Sequence, residues 1–209
     1  MSIRLKHCQE FSESEICEIL QYARHSFSHP TRKTTVLAAN YLDSGLSTHS
    51  LEYLLRKKLL AGAHLLFRGD DFLYFSAYYF NGAFCVGSVR TFSNPFLVYR
   101  RPYHSAYIMP AQIQIAENRN CRGYVVTFNE SNLALYKQNL RSPLRPSGEG
   151  VWQRSQETLR GFRPIENPVL YNFCPQYLMY KSFAQDLTDH EVVDFFSGNQ
   201  NGAISSTFG

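Results

Sequence analysis

The chain has 209 residues, of which 44% are hydrophobic and 18% charged, a balance that supports a buried core and excludes disorder for most of its length. Its formal net charge of +4 suits an anionic ligand, but it is too small and too dispersed for a nucleic-acid footprint. No apolar run reaches membrane-spanning length, because Arg68, Asp70 and Asp71 interrupt the aromatic region.

Aromatic residues make up 15% of the chain, which favours a sheet-containing fold over a helical bundle. The five cysteines, Cys8, Cys17, Cys85, Cys121 and Cys174, are scattered, odd in number and never spaced as Cys-x-x-Cys. They predict neither a disulfide framework nor a zinc site, and as reduced, packed thiols they fit a cytoplasmic protein. The N-terminal MSIRLKHCQE lacks the apolar stretch of a secretory signal. The histidines show no metal-ligand spacing, so no metal is expected.

Residues 3 to 8 read as a first strand. Ser12 and Glu15 form a capping box ahead of Ile16, Ile19, Leu20, Ala23 and Phe27, which recur at helical spacing up to Pro30. A polar stretch over 31–47 reads as a loop. Leu51, Leu54, Leu55 and Leu59 then mark a second amphipathic helix, with Gly62 expected to end it. Asp71 to Phe80 is an aromatic strand, and Asn81-Gly82 signals a hairpin to a partner strand over 83–92. Phe96 to Arg101 predicts another short strand.

Pro110 suits the first turn of a helix carrying two apolar rows, Ile108, Ala111 and Ile115 beside Met109, Ile113 and Ala116. Tyr124 to Phe128 is a short buried strand, followed by a polar turn and a helix. RSPLRPSGEG at 141–150 reads as a loop. A helix over 152–160 precedes a closing strand pair, 161–165 with 169–180, in which Pro175 demands an edge or a bulge. Thr188 and Glu191 form a second capping box before Val192, Val193 and Phe196, and the last residues read as a frayed tail. A single domain over 1–209 is expected, its core spanning about 3–181, with a C-terminal helix and tail beyond.

The stretch from Arg122 to Leu140, RGYVVTFNESNLALYKQNL, is the most specific pattern in the chain. Asn129 leaves a strand seven residues before Tyr136, about two helical turns on. This arrangement resembles the C-terminal motif of the GCN5-related N-acetyltransferases, and the element order agrees with theirs. The resemblance implies an α+β fold: a mixed, mostly antiparallel twisted sheet flanked by helices. It also implies an acyl-CoA-dependent N-acyltransferase, with acetyl-CoA or another acyl-CoA as cosubstrate and a small-molecule or peptide amine as acceptor. It leaves room for a homodimer.

Residue by residue, the resemblance makes Tyr136 the acid that protonates the departing thiolate. It places Asn129 on the pantetheine arm, with Asn132 as the adjoining helix cap in the same cofactor-binding set. A backbone amide from Leu97, Val98 or Tyr99 would face the thioester oxygen. Arg100, Arg101, Tyr103, His104, Ser105 and Ala106 would surround the pyrophosphate at a helix N-terminus, where amides and dipole favour anions. The family's loop departs from its pattern here: His104 stands at the first glycine, requiring a positive φ from histidine, and Pro102 removes one amide donor. That departure supports a rival reading, a non-catalytic module on the same fold. A nucleic-acid-associated protein would rest only on Arg100, Arg101, Arg119 and Arg122. Glu117, Glu130 and His104 are the nearby candidates for a general base, each expected at the surface.

Overall fold

The computed structural model describes residues 3–28, 51–53, 55–57, 62–94, 102–128, 137, 150–171 and 174–198. In chain order these form β1 (Ile3–His7), a 3-10 turn (Cys8–Glu10), α1 (Glu13–Ser28), β2 (Gly62–Arg68), β3 (Asp71–Asn81) and β4 (Phe84–Ser93). A π-helical turn (His104–Ile108) then leads into α2 (Met109–Asn118) and β5 (Gly123–Phe128). The chain continues through α3 (Val151–Leu159), β6 (Arg163–Pro164), β7 (Val169–Tyr171), β8 (Cys174–Ser182) and α4 (Asp189–Gly198).

The strands hydrogen-bond in the order β1-β2-β3-β4-β5-β8-β6, and β7 pairs with β8. Among the described strands every pairing is antiparallel except β4 with β5. This is the mixed, mostly antiparallel sheet that the sequence predicts.

Both capping boxes form. Ser12 Oγ accepts from Glu15 N at 3.3 Å while Glu15 Oε2 accepts from Ser12 N at 2.8 Å. Thr188 and Glu191 repeat the exchange at 3.3 and 3.0 Å. Each box fixes the first turn of a helix whose apolar stripe then faces the sheet.

Alternation along the strands sorts the core onto two faces. On one face α1 and Leu51 and Leu55 cover Ala63, Leu65, Phe75, Ala77 and Phe92. Farther along the same side, α4 covers Phe84, Val86, Val125 and Leu178. The opposite face receives α2, which packs on Tyr78, Cys85, Tyr124, Val126 and Met179. The π-turn and α3 pack there too, through Tyr103, Ala106, Ile108 and Val151 against Leu66 and Leu73.

Two expectations need correction. Gly62 opens β2 rather than ending a helix, and Gly62–Arg68 is a strand that residue spacing does not announce. Its Ala63 to Phe67 are buried without alternation, and a short apolar run of that kind carries no period to distinguish strand from helix. The β3–β4 turn is also displaced by one residue. Asn81 pairs with Phe84, so the two-residue loop is Gly82-Ala83, and Gly82 alone takes positive φ, at 53°. Glycine at the first loop position is the II′ arrangement, which matches strand twist as an Asn-Gly I′ turn would.

The closing pair forms in part: Arg163 lies opposite Tyr180, but the single strand expected over 169–180 is two, β7 and β8, which pair with each other antiparallel. Pro175 lies where β8 pairs with β7, beyond the Tyr177 end of its pairing with β5, so its missing donor is not needed by β5. The predicted strand at 96–101, the loop at 31–47 and the tail beyond 198 lie outside the described residues.

Candidate functional site

Among the described strands the parallel pair marks a fork in the sheet. β4 and β5 run together from Phe84 opposite Gly123 to Gly87 opposite Val126. Beyond Gly87, β4 continues to Ser93 against β3, and β5 continues to Phe128 against β8. Two register shifts fall in this stretch, where Val86 and Val89 oppose Tyr79 and Ala77, and Val89 and Phe92 oppose Ala77 and Phe75. In each case β4 carries one residue more than β3. Such bulges bend and twist the strand that holds them, and among the described residues the β4–β5 register ends at Gly87. A crevice between parting strands is a natural place for an extended ligand.

The chain re-enters the described residues at Pro102 and turns directly into helix at Tyr103. Ala106 N bonds to Pro102 O at 3.0 Å. His104 lies inside the π-turn, and the only non-glycine residue of positive φ among the described residues is Asn120. The left-handed conformation expected of His104 is therefore absent. A π-turn absorbs the departure from the glycine pattern instead, in a form frequent at functional sites.

The side chains of this turn point inward. Tyr103 is fully buried, and its hydroxyl accepts from Arg68 Nη1 at 3.2 Å. Ser105 reaches Ser155 on α3 at 2.6 Å and donates to Pro102 O at 3.2 Å. Ala106 packs among Leu66, Leu73 and Val151. His104, expected at the surface as a candidate base, is 6% exposed, with Nε2 3.1 Å from Ser76 Oγ. Burial pushes its pKa down to about 4, with His64 as a second cause, so the imidazole is neutral at physiological pH. Anion contacts from 103–106 would have to come from backbone amides.

His104 belongs to a buried polar network behind the fork. Ser76 Oγ on β3 also meets Thr91 Oγ1 on β4 at 2.9 Å. Gln112 on α2, fully buried, donates through Nε2 to Ser76 O at 3.3 Å. Its Oε1 accepts from the Tyr124 hydroxyl on β5 at 2.7 Å. Five elements around the fork, the π-turn, β3, β4, α2 and β5, are thus tied by paired polar groups, the condition under which buried polar atoms rigidify a core. Gly87, where the strands part, lies under Tyr124; a Cβ there would overlap the Tyr124 hydroxyl and ring.

Neither Ser76, Thr91, Gln112 nor Tyr124 stands out in the sequence as functional. The one available signal was Gln112, a polar residue set beside the apolar rows of α2. Leu97, Val98, Tyr99, Arg100, Arg101, Asn129, Asn132, Tyr136 and Glu130 lie outside the described residues. Glu117 is exposed, as expected. Tyr78 is buried against His64 at a centroid separation of 5.6 Å. Among the described residues no group of His, Cys, Asp and Glu is arranged to hold a metal ion, and no helix is long and apolar enough to cross a membrane.

No protein-family model matches the sequence, and no curated protein matches it. Solved structures do. PaiA N-acetyltransferase from Thermoplasma acidophilum, solved with coenzyme A, is 12% identical, covers 88% of this chain and 100% of its own, and superposes with a TM-score of 0.54. Ribosomal-protein-alanine N-acetyltransferase from Brucella melitensis has the same identity and coverage, with a TM-score of 0.52. YncA from Salmonella typhimurium, solved with its cofactor acetyl-CoA, is 9% identical over 90% of this chain and 98% of its own, at 0.55. The chain has the fold of the GCN5-related N-acetyltransferases.

Proposed function

We propose that this chain is an acyl-CoA-dependent N-acyltransferase that transfers acetyl from acetyl-CoA to a primary amine. One observation carries the reading: the parallel β4–β5 pair ends at Gly87 while bulged β4 continues against β3 to Ser93. A pantetheine arm laid along β4 would place its thioester near the fork and its phosphates near the amides at the start of the helix. Fold neighbours solved with coenzyme A and with acetyl-CoA support the cosubstrate. An amine acceptor follows from the N-acetyltransferases among them, one of them named for a ribosomal-protein alanine.

In this reading the amine nitrogen attacks the thioester carbonyl carbon, a C–N bond forms, and the C–S bond breaks. Alignment of the two reactants supplies much of the rate. A backbone amide of Leu97, Val98 or Tyr99 faces the carbonyl oxygen as it gains charge. Tyr136 gives its phenolic proton to the departing thiolate, and the extra proton that the amine nitrogen carries after its attack leaves to solvent. Asn129 holds a pantetheine amide, beside Asn132 at the helix start. Arg100 and Arg101 add charge near the pyrophosphate. The enzyme would act in the cytoplasm as a single domain.

A second reading is favoured by the inward-facing π-turn: a non-catalytic module whose loop serves the core. Calorimetry with acetyl-CoA separates the two. Binding supports the acyltransferase, whereas no heat at millimolar acetyl-CoA supports the module. Given binding, Tyr136→Phe should keep its affinity and lose release of free CoA. Unchanged release would remove the acid role.

A further inference from the structure

We infer that Tyr124 closes the base of the β4–β5 fork and thereby restricts the acyl donor to acetyl-sized chains; this rests on acyl-CoA occupying the fork. Gly87 is the last β4 residue in register with β5, and its partner is Val126. Tyr124 sits two positions back on β5, opposite Cys85, on the α2 side of the sheet. Its ring leans across Gly87 so closely that only a residue without Cβ fits beneath it. The ring therefore covers the α2 face of the sheet at the last residue of β4 in register with β5.

That ring is held from several sides. Its hydroxyl donates to Gln112 Oε1 at 2.7 Å, and Gln112 is itself anchored on Ser76. The edge of Phe162 meets it at 6.0 Å and 84°. Tyr124 is fully buried, so swinging it aside would break its hydrogen bond and open a void in a close-packed core. A thioester approaching along β4 can set one methyl against this wall. Each further methylene has to displace packed atoms rather than enter a pocket, and overpacking is unfavourable.

Titration calorimetry of the full chain with CoA, acetyl-CoA, butyryl-CoA and hexanoyl-CoA needs no acceptor and tests this directly. CoA and acetyl-CoA should bind within about threefold of each other, and hexanoyl-CoA at least about tenfold more weakly. Tyr124→Leu, which shortens the wall, should narrow that gap to under about threefold, whereas Tyr124→Phe, which keeps the ring, should preserve it. Hexanoyl-CoA binding as tightly as acetyl-CoA, or a gap that persists in a folded Tyr124→Leu protein, overturns the inference and leaves acyl-CoA binding intact. If Tyr124→Leu does not fold, the wild-type series and Tyr124→Phe decide, and a gap lost in Tyr124→Phe counts against the ring as the wall. Failure of every compound to bind, CoA included, removes the acyl-CoA reading and this inference with it.

Discussion

Gln112 Nε2 donates to the backbone carbonyl of Ser76 at 3.3 Å, at the register shift between the Phe75–Phe92 and Ala77–Val89 pairs, where β4 carries an extra residue. A helix side chain thus stands in where the β3–β4 ladder is interrupted. The same carboxamide accepts from Tyr124, so one residue joins β3 and β5 across the bulged strand that forms the fork. Both ends of the amide are used, and the group is fully buried. Polar burial of this kind is stabilising only while each partner remains.

Gln112→Leu keeps much of the volume and removes both bonds. It should lower stability by about 2–3 kcal/mol, and the thermal midpoint by several degrees in a chain of this size. Urea unfolding with an unchanged m-value would show a stability effect rather than a changed denatured state. An unshifted midpoint would mean that the Ser76 and Tyr124 contacts do not hold the fork.

Acidification should destabilise the protein between about pH 6.5 and 4. Burial lowers the pKa of both His64 and His104 from 6.5 to about 4, and His7 shifts in the same direction. Above pH 6.5 each imidazole is neutral in the folded and unfolded states alike. Below it, the unfolded chain takes up protons that the folded one refuses, so stability falls, by at most about 1.4 kcal/mol per pH unit for each imidazole. Glu191, held down to about 2 by Thr188 and Arg122, loses its contribution as pH falls from its ordinary 4.5 toward 2, so it overlaps only the acid end of this window. His104→Gln should flatten the slope of unfolding free energy between pH 6.5 and 4. An equal slope in the variant would place the titration elsewhere.

The start of α4 offers a local test. Glu191 both caps Thr188 and pairs with Arg122 at 2.7 Å, tying this helix to the residue before β5. Thr188→Ala removes the hydroxyl that accepts from Glu191 N and should cost about 1 kcal/mol in urea unfolding. No measurable loss would indicate that Arg122 alone fixes the helix start.

Caps and stripes were legible because their cause is local: Ser12 with Glu15 and Thr188 with Glu191 satisfy their own helix starts. The run Ala63 to Phe67 was not, since a strand flanked on both faces has no period to read. The network behind the fork was hidden for a different reason. Ser76, Gln112 and Tyr124 are 36 and 12 residues apart in sequence, and only the β4 bulges and the sheet order bring them together. The π-turn was equally invisible. His104 broke a glycine pattern, and the residue spacing could not say that its side chain would turn inward to Ser76.

The contact between Gly87 and Tyr124 can be measured without any ligand. A Cβ at 87 would overlap the ring of Tyr124, so Gly87→Ala should destabilise by about 1–3 kcal/mol through overpacking. Tyr124→Leu alone should also destabilise, by about 2–4 kcal/mol, because it leaves a cavity and removes the donor to Gln112. In the double variant the alanine methyl enters the space the ring vacated. Its loss should therefore be smaller than the sum of the single losses by about 1–2 kcal/mol, the scale expected of residues in contact. Additive losses in urea unfolding would show that the two positions do not touch, and that the ring does not lie across the base of the fork.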